Sequence, residues 1–320
     1  MKHHLTSLAV AAFLACGGAA FAQSWPSGNI DYIVPYPPGG GTDVLARQLN
    51  DQIARKTGWN FVVLNVPGAG GTIGMDQLSR ADANGQTIGM GQTSNLAVNP
   101  ALNPEVKYDP QAGFTPIALV NTQPMGIITY NDSPYADFGA VLDAARAEPG
   151  SIMYGTPGTG TVSHMAVERL MLQGGLKFEH VPYTGIAQAI SDVMGGVVDI
   201  YIGSLPSVMQ HVEAGNVRLL AVTSLEPHPL APDVPTVASL GFEGYQATDW
   251  KAVVGPAGMP EEAVTALNTA INEALADPDL RAALEAQGSV VLGGTAEEFK
   301  AYLAEEAATW AEVVRAAGLR

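Results

Sequence analysis

The segment DYIVPYPPGGGTDVLARQL (residues 31–49) takes the chain from a short apolar run, through prolines and three consecutive glycines, into a helical pattern. Pro37 and Pro38 cannot continue a strand ladder. The glycines lack a Cβ, so backbone N–H groups there can approach a ligand closely. Thr42 or Asp43 is suited to begin the helix, whose apolar residues recur at helical spacing. We predict a strand, a glycine loop and a helix whose N-terminus favours an anion, although an unoccupied turn has the same signature.

Loops of the same composition follow other predicted strands. They are NVPGAGGTIG (65–74), GQTSNLAVNP (91–100), YGTPGTGTVSH (154–164) and YTGIAQA (183–189). Each consists mainly of small and polar residues, and supplies backbone N–H groups or hydroxyls with almost no formal charge. Ligands of open α/β sheets bind beyond the C-terminal ends of the strands, where such loops lie. Their repetition therefore favours a binding site over simple turn chemistry.

Strands and helices alternate along the chain, which is typical of an α/β fold with mostly parallel sheets. Further strands are predicted at residues 61–66, 87–92, 125–130, 151–156, 178–183, 198–204 and 218–224, and three helices at the end of the chain. The chain leaves a first series of strand–helix units and returns to it after a second. This order predicts two lobes joined by crossing strands. Lobe 1 is predicted to contain residues 23–122 and 225–320, and lobe 2 residues 123–224.

Residues 1–22 have the features of an export signal. Lys2 precedes an apolar run, and Ala20-Phe21-Ala22 offers small residues for cleavage. The apolar run is too short to span a membrane. The single cysteine, Cys16, lies in this segment, so cleavage after Ala22 removes the only thiol. Lipidation of Cys16 is an alternative, but Leu14 stands where a small residue is expected.

The composition restricts the class of partner. Hydrophobic residues make up 47% and charged residues 14% of the chain, as in a well-packed globular protein. The formal net charge of −16 argues against nucleic acid or an anionic membrane surface as a partner. An anionic ligand must therefore be attracted by local dipoles and hydrogen-bond donors.

Motifs for catalysis, metals and nucleotides are weak. The sequence has no GxSxG, HExxH or P-loop pattern. His164 and Glu168 are spaced for one face of a helix, but no third metal ligand is evident nearby, so a structural contact is preferred. GAGGTI (68–73) matches half of a dinucleotide fingerprint, but it follows the second strand rather than the first. We predict a binding protein, not an enzyme, with no cofactor and no metal. A secreted α/β enzyme acting on a carboxylated substrate is the alternative.

Several motifs together resemble a known family. They are PYPPGGGTDVLAR, NVPGAGGTIG, NPAL (99–102), YGTPGTGTVSH, HVPYTG (180–185), LLAVTS, PDVPTV (232–237) and Trp250 with the GPAGMP that follows. The chain is similar to the extracytoplasmic substrate-binding receptors of tripartite tricarboxylate transporters, the Bug family. The resemblance implies a periplasmic, monomeric binding protein of the two-lobed type II class, the Venus flytrap. It would close on a small organic carboxylate, either a di- or tricarboxylate or an aromatic one, and deliver it to membrane permease subunits. A receptor that presents its ligand to a signalling partner is a further alternative.

The resemblance also implies which residues bind the ligand, mostly through backbone N–H groups and hydroxyls of loops from both lobes. They are Tyr36, Pro38, Gly39, Gly40, Gly41 and Thr42, ordered by Asp43; Thr93 and Ser94; Gly155, Thr156, Gly158, Thr159, Gly160, Thr161 and His164; and Tyr183 and Thr184. We add Gly203, Ser204 and Lys251 as further candidate ligand-binding residues.

Two of these positions depart from the family pattern. Gly203 stands where relatives often carry Asp, which makes an amino-acid ligand less favoured. Lys251 stands where an apolar residue is usual. Its ammonium would meet a second carboxylate if it points into the cleft, but a surface ion pair with Asp249 is the preferred interpretation.

Overall fold

The computed structural model of the protein describes residues 25–183 and 186–320. The predicted export signal, with Cys16, lies outside the described residues, and so does Thr184. In the described part of the chain, no helix has the length and apolar character needed to cross a membrane.

Strands and helices alternate as the sequence predicts. The strands are β1 (Ile30–Val34), β2 (Phe61–Asn65), β3 (Thr87–Gln92), β4 (Phe114–Tyr130), β5 (Met153–Thr156), β6 (Glu179–Pro182), β7 (Ile200–Ser204), β8 (Val217–Val222), β9 (Thr248–Pro256) and β10 (Val290–Val291). The helices are α1 (Gly41–Thr57), α2 (Thr72–Ser79), α3 (Asn99–Leu102), α4 (Phe138–Ala147), α5 (Val162–Gly174), α6 (Ile186–Met194), α7 (Leu205–Glu213), α8 (Glu261–Leu275), α9 (Pro278–Ala286) and α10 (Ala296–Ala316).

The strands form two sheets, one in each lobe. In the first, β1 lies between β2 and β3 in parallel, and β9 pairs antiparallel with both β3 and β4. In the second, β5 pairs in parallel with β6 and β7, and β4 pairs antiparallel with β7 and β8. The two-lobed α/β class is therefore confirmed. Each sheet is mixed rather than mostly parallel, because β4 and β9 run against their neighbours.

The long strand β4 joins the two sheets. Residues 114–124 pair with β9 in the first sheet, whereas residues 125–130 pair with β7 and β8 in the second. The chain returns between β8 and β9, where the Thr223 hydroxyl accepts a hydrogen bond from the Met125 backbone N–H at 2.8 Å and donates one to the Ala247 carbonyl. These two crossings lie side by side and form the hinge.

Buried aromatic residues fix β9 against the last helix. Trp250 and Trp310 are fully buried, and both indole N–H groups donate to the Glu306 carboxylate, at 2.7 and 3.0 Å. Trp250 also makes an edge contact with Phe299 of α10. Because side chains alternate along a strand, this arrangement turns Asp249 and Lys251 to the opposite face of β9.

Candidate ligand-binding cleft

A cleft of about 500 Å³ lies between the two lobes. Met125 from the hinge lines it, together with turns of both sheets. Its lining residues are Tyr36, Ala69, Gly70, Gln92, Ser94, Asn99, Asn103, Met125, Pro157, Thr159, Gly160, Thr161, Val162, Ser163, Ser204 and Asp249. Asp249 is the one charged side chain in this set, within the part of the chain that the structure describes. Apart from Asp249, the polar groups of the cleft are therefore hydroxyls, amides and backbone groups, as the composition of the loops predicts.

The structure brings six of the predicted ligand-binding residues together in this cleft. They are Tyr36, Ser94, Thr159, Gly160, Thr161 and Ser204. Other predicted residues do not line the cleft. Pro38, Gly39 and Gly40 are exposed, and Gly41, Thr42 and Lys251 line a neighbouring cavity.

Asp43 orders the first-lobe loop (residues 36–42). Its Oδ2 accepts the backbone N–H of Gly39 at 2.9 Å and Nε of Arg47 at 3.0 Å, and its Oδ1 accepts the Asn65 amide at 2.9 Å. The hydrogen bond from Arg47 is the main cause that lowers the pKa of Asp43 to about 2. The side chain is buried, so the loop is held by an ionised carboxylate with several donors. Gly40 caps α1 without a side-chain hydrogen bond, which leaves the first-turn N–H groups free of a capping side chain.

Hydroxyls line the first-lobe wall of the cleft. The Tyr36 hydroxyl donates to the Gly70 carbonyl at 3.0 Å and shares a hydrogen bond of 2.8 Å with Ser94 Oγ. Gln92 donates its amide to Ser94 Oγ at 3.1 Å. Burial raises the pKa of Tyr36, and the charge of Asp249 acts in the same direction, so this hydroxyl stays protonated and keeps its donor.

A stack of two histidines supports the second-lobe loop (residues 155–161). The Gly160 backbone N–H donates to Nδ1 of His164 at 3.1 Å, and the His164 and His180 rings stack with centroids 4.1 Å apart. His180 Nε2 lies 2.7 Å from Oγ1 of Thr156. Burial, followed by the neighbouring His164, lowers the pKa of His180 to about 4. His164 also lies 3.3 Å from Glu168, so this pair makes the structural contact that its spacing suggested.

The remaining predicted residues have local roles in the structure. The fully buried Thr93 ties β3 to β9, donating to the Thr248 carbonyl and accepting from the Trp250 N–H. Tyr183 donates to Asp192 at 2.9 Å. Gly203 packs against the Tyr201 ring, which leaves no room for a side chain without movement of that ring. None of these three lines the described cleft.

Lys251 does not line the cleft. Its side chain is buried, and Nζ lies 2.9 Å from Oδ2 of Asp249 in a cavity of about 240 Å³. The ion pair with Asp249 therefore exists, but it is internal rather than on the surface. Asp249, which lines both the cavity and the cleft, is the member of the pair that reaches the ligand side.

Sequence reasoning missed several lining residues. Gly70, Gln92 and Asn99 belong to loops that the composition singled out, so their neighbourhood was indicated although their side chains were not. Met125 and Asp249 lie on the crossing strands. No local pattern reveals which face of these strands turns to the cleft. In the described residues, no group of three or more His, Cys, Asp and Glu side chains is arranged to hold a metal ion.

Comparison with known proteins identifies the family. The sequence model described as "Tripartite tricarboxylate transporter family receptor" matches residues 45–319. The chain belongs to this receptor family. BugT of Bordetella pertussis is 34% identical over 312 residues, which cover 96% of this chain and 96% of BugT.

Solved structures of similar proteins share the fold. A protein of R. palustris, solved with adipate, is 30% identical, with a TM-score of 0.77 over 92% of this chain and 98% of that one. MatC of Rhodopseudomonas palustris, solved with bound malate, is 27% identical, with a TM-score of 0.74 over 91% of this chain and 100% of MatC. Members of this family are solute-binding receptors, and the two-lobed fold of this receptor is theirs.

Proposed function

We propose that this receptor captures a small organic carboxylate in the periplasm by closing its lobes, and delivers it to the permease subunits of a tripartite transporter. The observation that carries the proposal is the cleft itself, in which hydroxyl and backbone donors from both lobes meet without a lysine or arginine among the lining residues of the described chain. The carboxylates in the two R. palustris structures support the same ligand class.

The energetics of such a site are sufficient. A hydrogen bond to a charged group contributes roughly 1.5–3 kcal/mol. Four of these at the upper end of that range give about 12 kcal/mol, which exceeds the ~8 kcal/mol of a micromolar complex and leaves a surplus to offset lobe closure and lost ligand freedom. Because the donors come from different lobes, opening the hinge separates them and releases the ligand.

The two crossings at Met125 and Thr223 support the proposed lobe boundaries, residues 23–122 with 225–320 and residues 123–224. In the closed state we expect the exposed first-lobe loop at Gly39 and Gly40 to approach the ligand together with Thr159 and Gly160. We propose that the exported protein is a monomer without residues 1–22. N-terminal sequencing of the periplasmic protein tests the cleavage, and sedimentation analysis tests the monomer.

Binding is tested by calorimetry against mono-, di- and tricarboxylates, with mass analysis of the ligand afterwards. We expect micromolar or tighter binding of at least one carboxylate, which is recovered unchanged. Ser94→Ala on the first lobe and Thr159→Ala on the second should each weaken binding about tenfold or more, because each removes a hydroxyl from the cleft.

Ser191→Ala is the matched control, because Ser191 is exposed on α6 and does not line the cleft. Its affinity should equal that of the unmodified protein, and urea unfolding shows whether each variant is folded. A converted product would favour the secreted enzyme. A protein that binds no carboxylate would contradict the proposed function.

A further inference from the structure

Asp249 occupies the boundary between the cleft and a side cavity. The side cavity, of about 240 Å³, is lined by Gly41, Thr42, Leu45, Asn121, Gln123, Asp249, Lys251, Leu284, Gln287 and Ser289. Asp249 also lines the cleft, beside Tyr36 and Ser94. A carboxylate here is unexpected in a receptor for an anion, since it would repel the charge that the rest of the cleft is suited to bind.

Lys251 fixes one oxygen of this carboxylate. The two residues lie on the same face of β9, and Lys251 Nζ is 2.9 Å from Oδ2 of Asp249. Lys251 is only 5% exposed. The residue of β4 that pairs with Lys251 is Asn121. Asn121 is buried, and its amide donates to Ser289 at 2.7 Å. The lysine therefore anchors Asp249 from the side cavity, and it does not enter the cleft.

The other oxygen of Asp249 has no partner. Oδ1 is buried and makes no hydrogen bond in the described structure. A buried acceptor without a donor costs free energy, on the order of 1–3 kcal/mol, and an ionised carboxylate can only accept. The carboxylate is therefore short of donors, and a ligand group that meets its exposed part must be a donor. Tyr36 is near enough for the charge of Asp249 to affect it, but its hydroxyl is engaged with Gly70 and Ser94.

We infer that Asp249 is a specificity-determining residue, whose carboxylate, 23% exposed where it lines the cleft, accepts a hydrogen bond from a hydroxyl or ammonium group carried by the carboxylate ligand. The inference rests on the proposed function. The ligand's carboxylate takes the hydroxyl and backbone donors of the loops, and its second polar group meets Asp249. A ligand that presents a second carboxylate at this point is disfavoured, because two like charges would face each other.

Gly203 stands where relatives often carry Asp, so β7 supplies no acidic side chain at this position. Asp249 supplies an acidic side chain to the cleft from a different strand, β9. A donor-bearing ligand, including one with an ammonium group, is therefore compatible with this chain. The sequence alone argued against a ligand with an ammonium group, because Gly203 replaces the Asp of relatives.

Matched pairs of probes test the inference. Calorimetry is run with lactate and propionate, with alanine as the ammonium analogue, with malate and succinate, and with mandelate and phenylacetate. We expect the hydroxylated or ammonium-bearing member of at least one pair to bind tenfold or more tightly than its plain partner. The lactate and alanine arms distinguish hydroxyl from ammonium recognition.

Asp249→Asn keeps the size of the side chain and removes its charge. We expect it to lower the preference for the donor-bearing member at least fivefold and to improve binding of succinate. Asp143→Asn is the control, because the Asp143 side chain is 80% exposed on α4, and it should leave every ratio unchanged. Asp249→Asn leaves the buried Lys251 without a charged partner and could fold poorly for that reason. In that case the double variant Asp249→Ala with Lys251→Met takes its place, because it removes both charges.

The outcomes separate the inference from the proposed function. If carboxylates bind but no pair shows a preference, or if Asp249→Asn leaves the preference unchanged, the inference is wrong and the proposed function stands. If no carboxylate of the wider panel binds to the unmodified protein, the proposed function itself fails.

Discussion

The first-lobe loop and the second-lobe loop each lead a strand into a helix beside the cleft, and both are built of Gly, Pro and Thr. Their supports are chemically opposite. The first is held by the ionised carboxylate of Asp43, which accepts from Gly39, Arg47 and Asn65. The second is held by an uncharged acceptor, Nδ1 of His164, which receives the Gly160 N–H. Loops of similar composition thus depend on different protonation states.

This difference gives the two loops different pH ranges. The pKa of Asp43 is lowered to about 2, so its support persists until strongly acidic pH. The pKa of His180 is lowered to about 4, because the folded protein disfavours its charged form. Mild acid therefore weakens the support of the second-lobe loop before it weakens that of the first-lobe loop. Mutations at Asp43, His180 and Gly160 test this difference.

Asp43→Ala removes the support of the first-lobe loop. We expect the free energy of unfolding to fall by about 3 kcal/mol, because a buried acceptor of hydrogen bonds from three residues is lost. Urea unfolding at pH 7 measures this, and carboxylate affinity should fall with it. Asp51→Ala, at an exposed position of the same helix, is the control and should change stability little. A variant at position 43 as stable as the control would show that the loop is held by other means.

Acid should destabilise the protein through His180. The unfolded histidine takes up a proton near pH 6.5 and the folded one near 4, so stability is complete above 6.5 and is lost as the pH falls toward 4. We expect a loss on the order of 2 kcal/mol, allowing for partial exposure of the ring. Urea unfolding from pH 7 to 4.5 measures it. The groups around His180 are Tyr154, Thr156, His164 and Glu168.

Two variants separate the two loops in this titration. His180→Gln should flatten the pH dependence in that range. Asp43→Ala should keep it, because the carboxylate contributes stability above about pH 3.8 and loses it only as the pH falls through 2. If both variants titrate like the unmodified protein, the histidine pair is not the acid-sensitive element.

Gly160→Ala tests the backbone of the second-lobe loop. Gly160 has φ +76°, so an alanine there is strained, and its Cβ would also lie 2.6 Å from a methyl group of Leu102 in α3. We expect a loss of about 1 kcal/mol in urea unfolding, mostly from the positive φ. Gly41→Ala is the matched control in the first-lobe loop, since nothing lies within 4 Å of its Cβ. If the two variants are equally stable, the two loops do not differ in the cost of adding a Cβ at these glycines.

The elements of the fold follow largely from local pattern. β3 has the predicted bounds, residues 87–92, and the strand–loop–helix order around residue 40 is as predicted. The first half of β4 was not predicted as a strand, because Pro116 and Pro124 interrupt its pattern. The structure accommodates Pro116 beside a shift of register, between residues 116 and 118, which local pattern does not reveal.

The amino-acid sequence determined which chemistry the receptor can offer. Short polar residues between strands and helices give hydroxyls and backbone N–H groups, and these properties depend only on residue type and on nearby neighbours. Tertiary structure decided which of them meet. Six predicted residues reach the cleft, while Thr93, His164 and Lys251 lie behind it as supports. Asp249 enters the cleft because the burial of Trp250 fixes the face of β9, and that orientation arises from contacts with α10, far away along the chain.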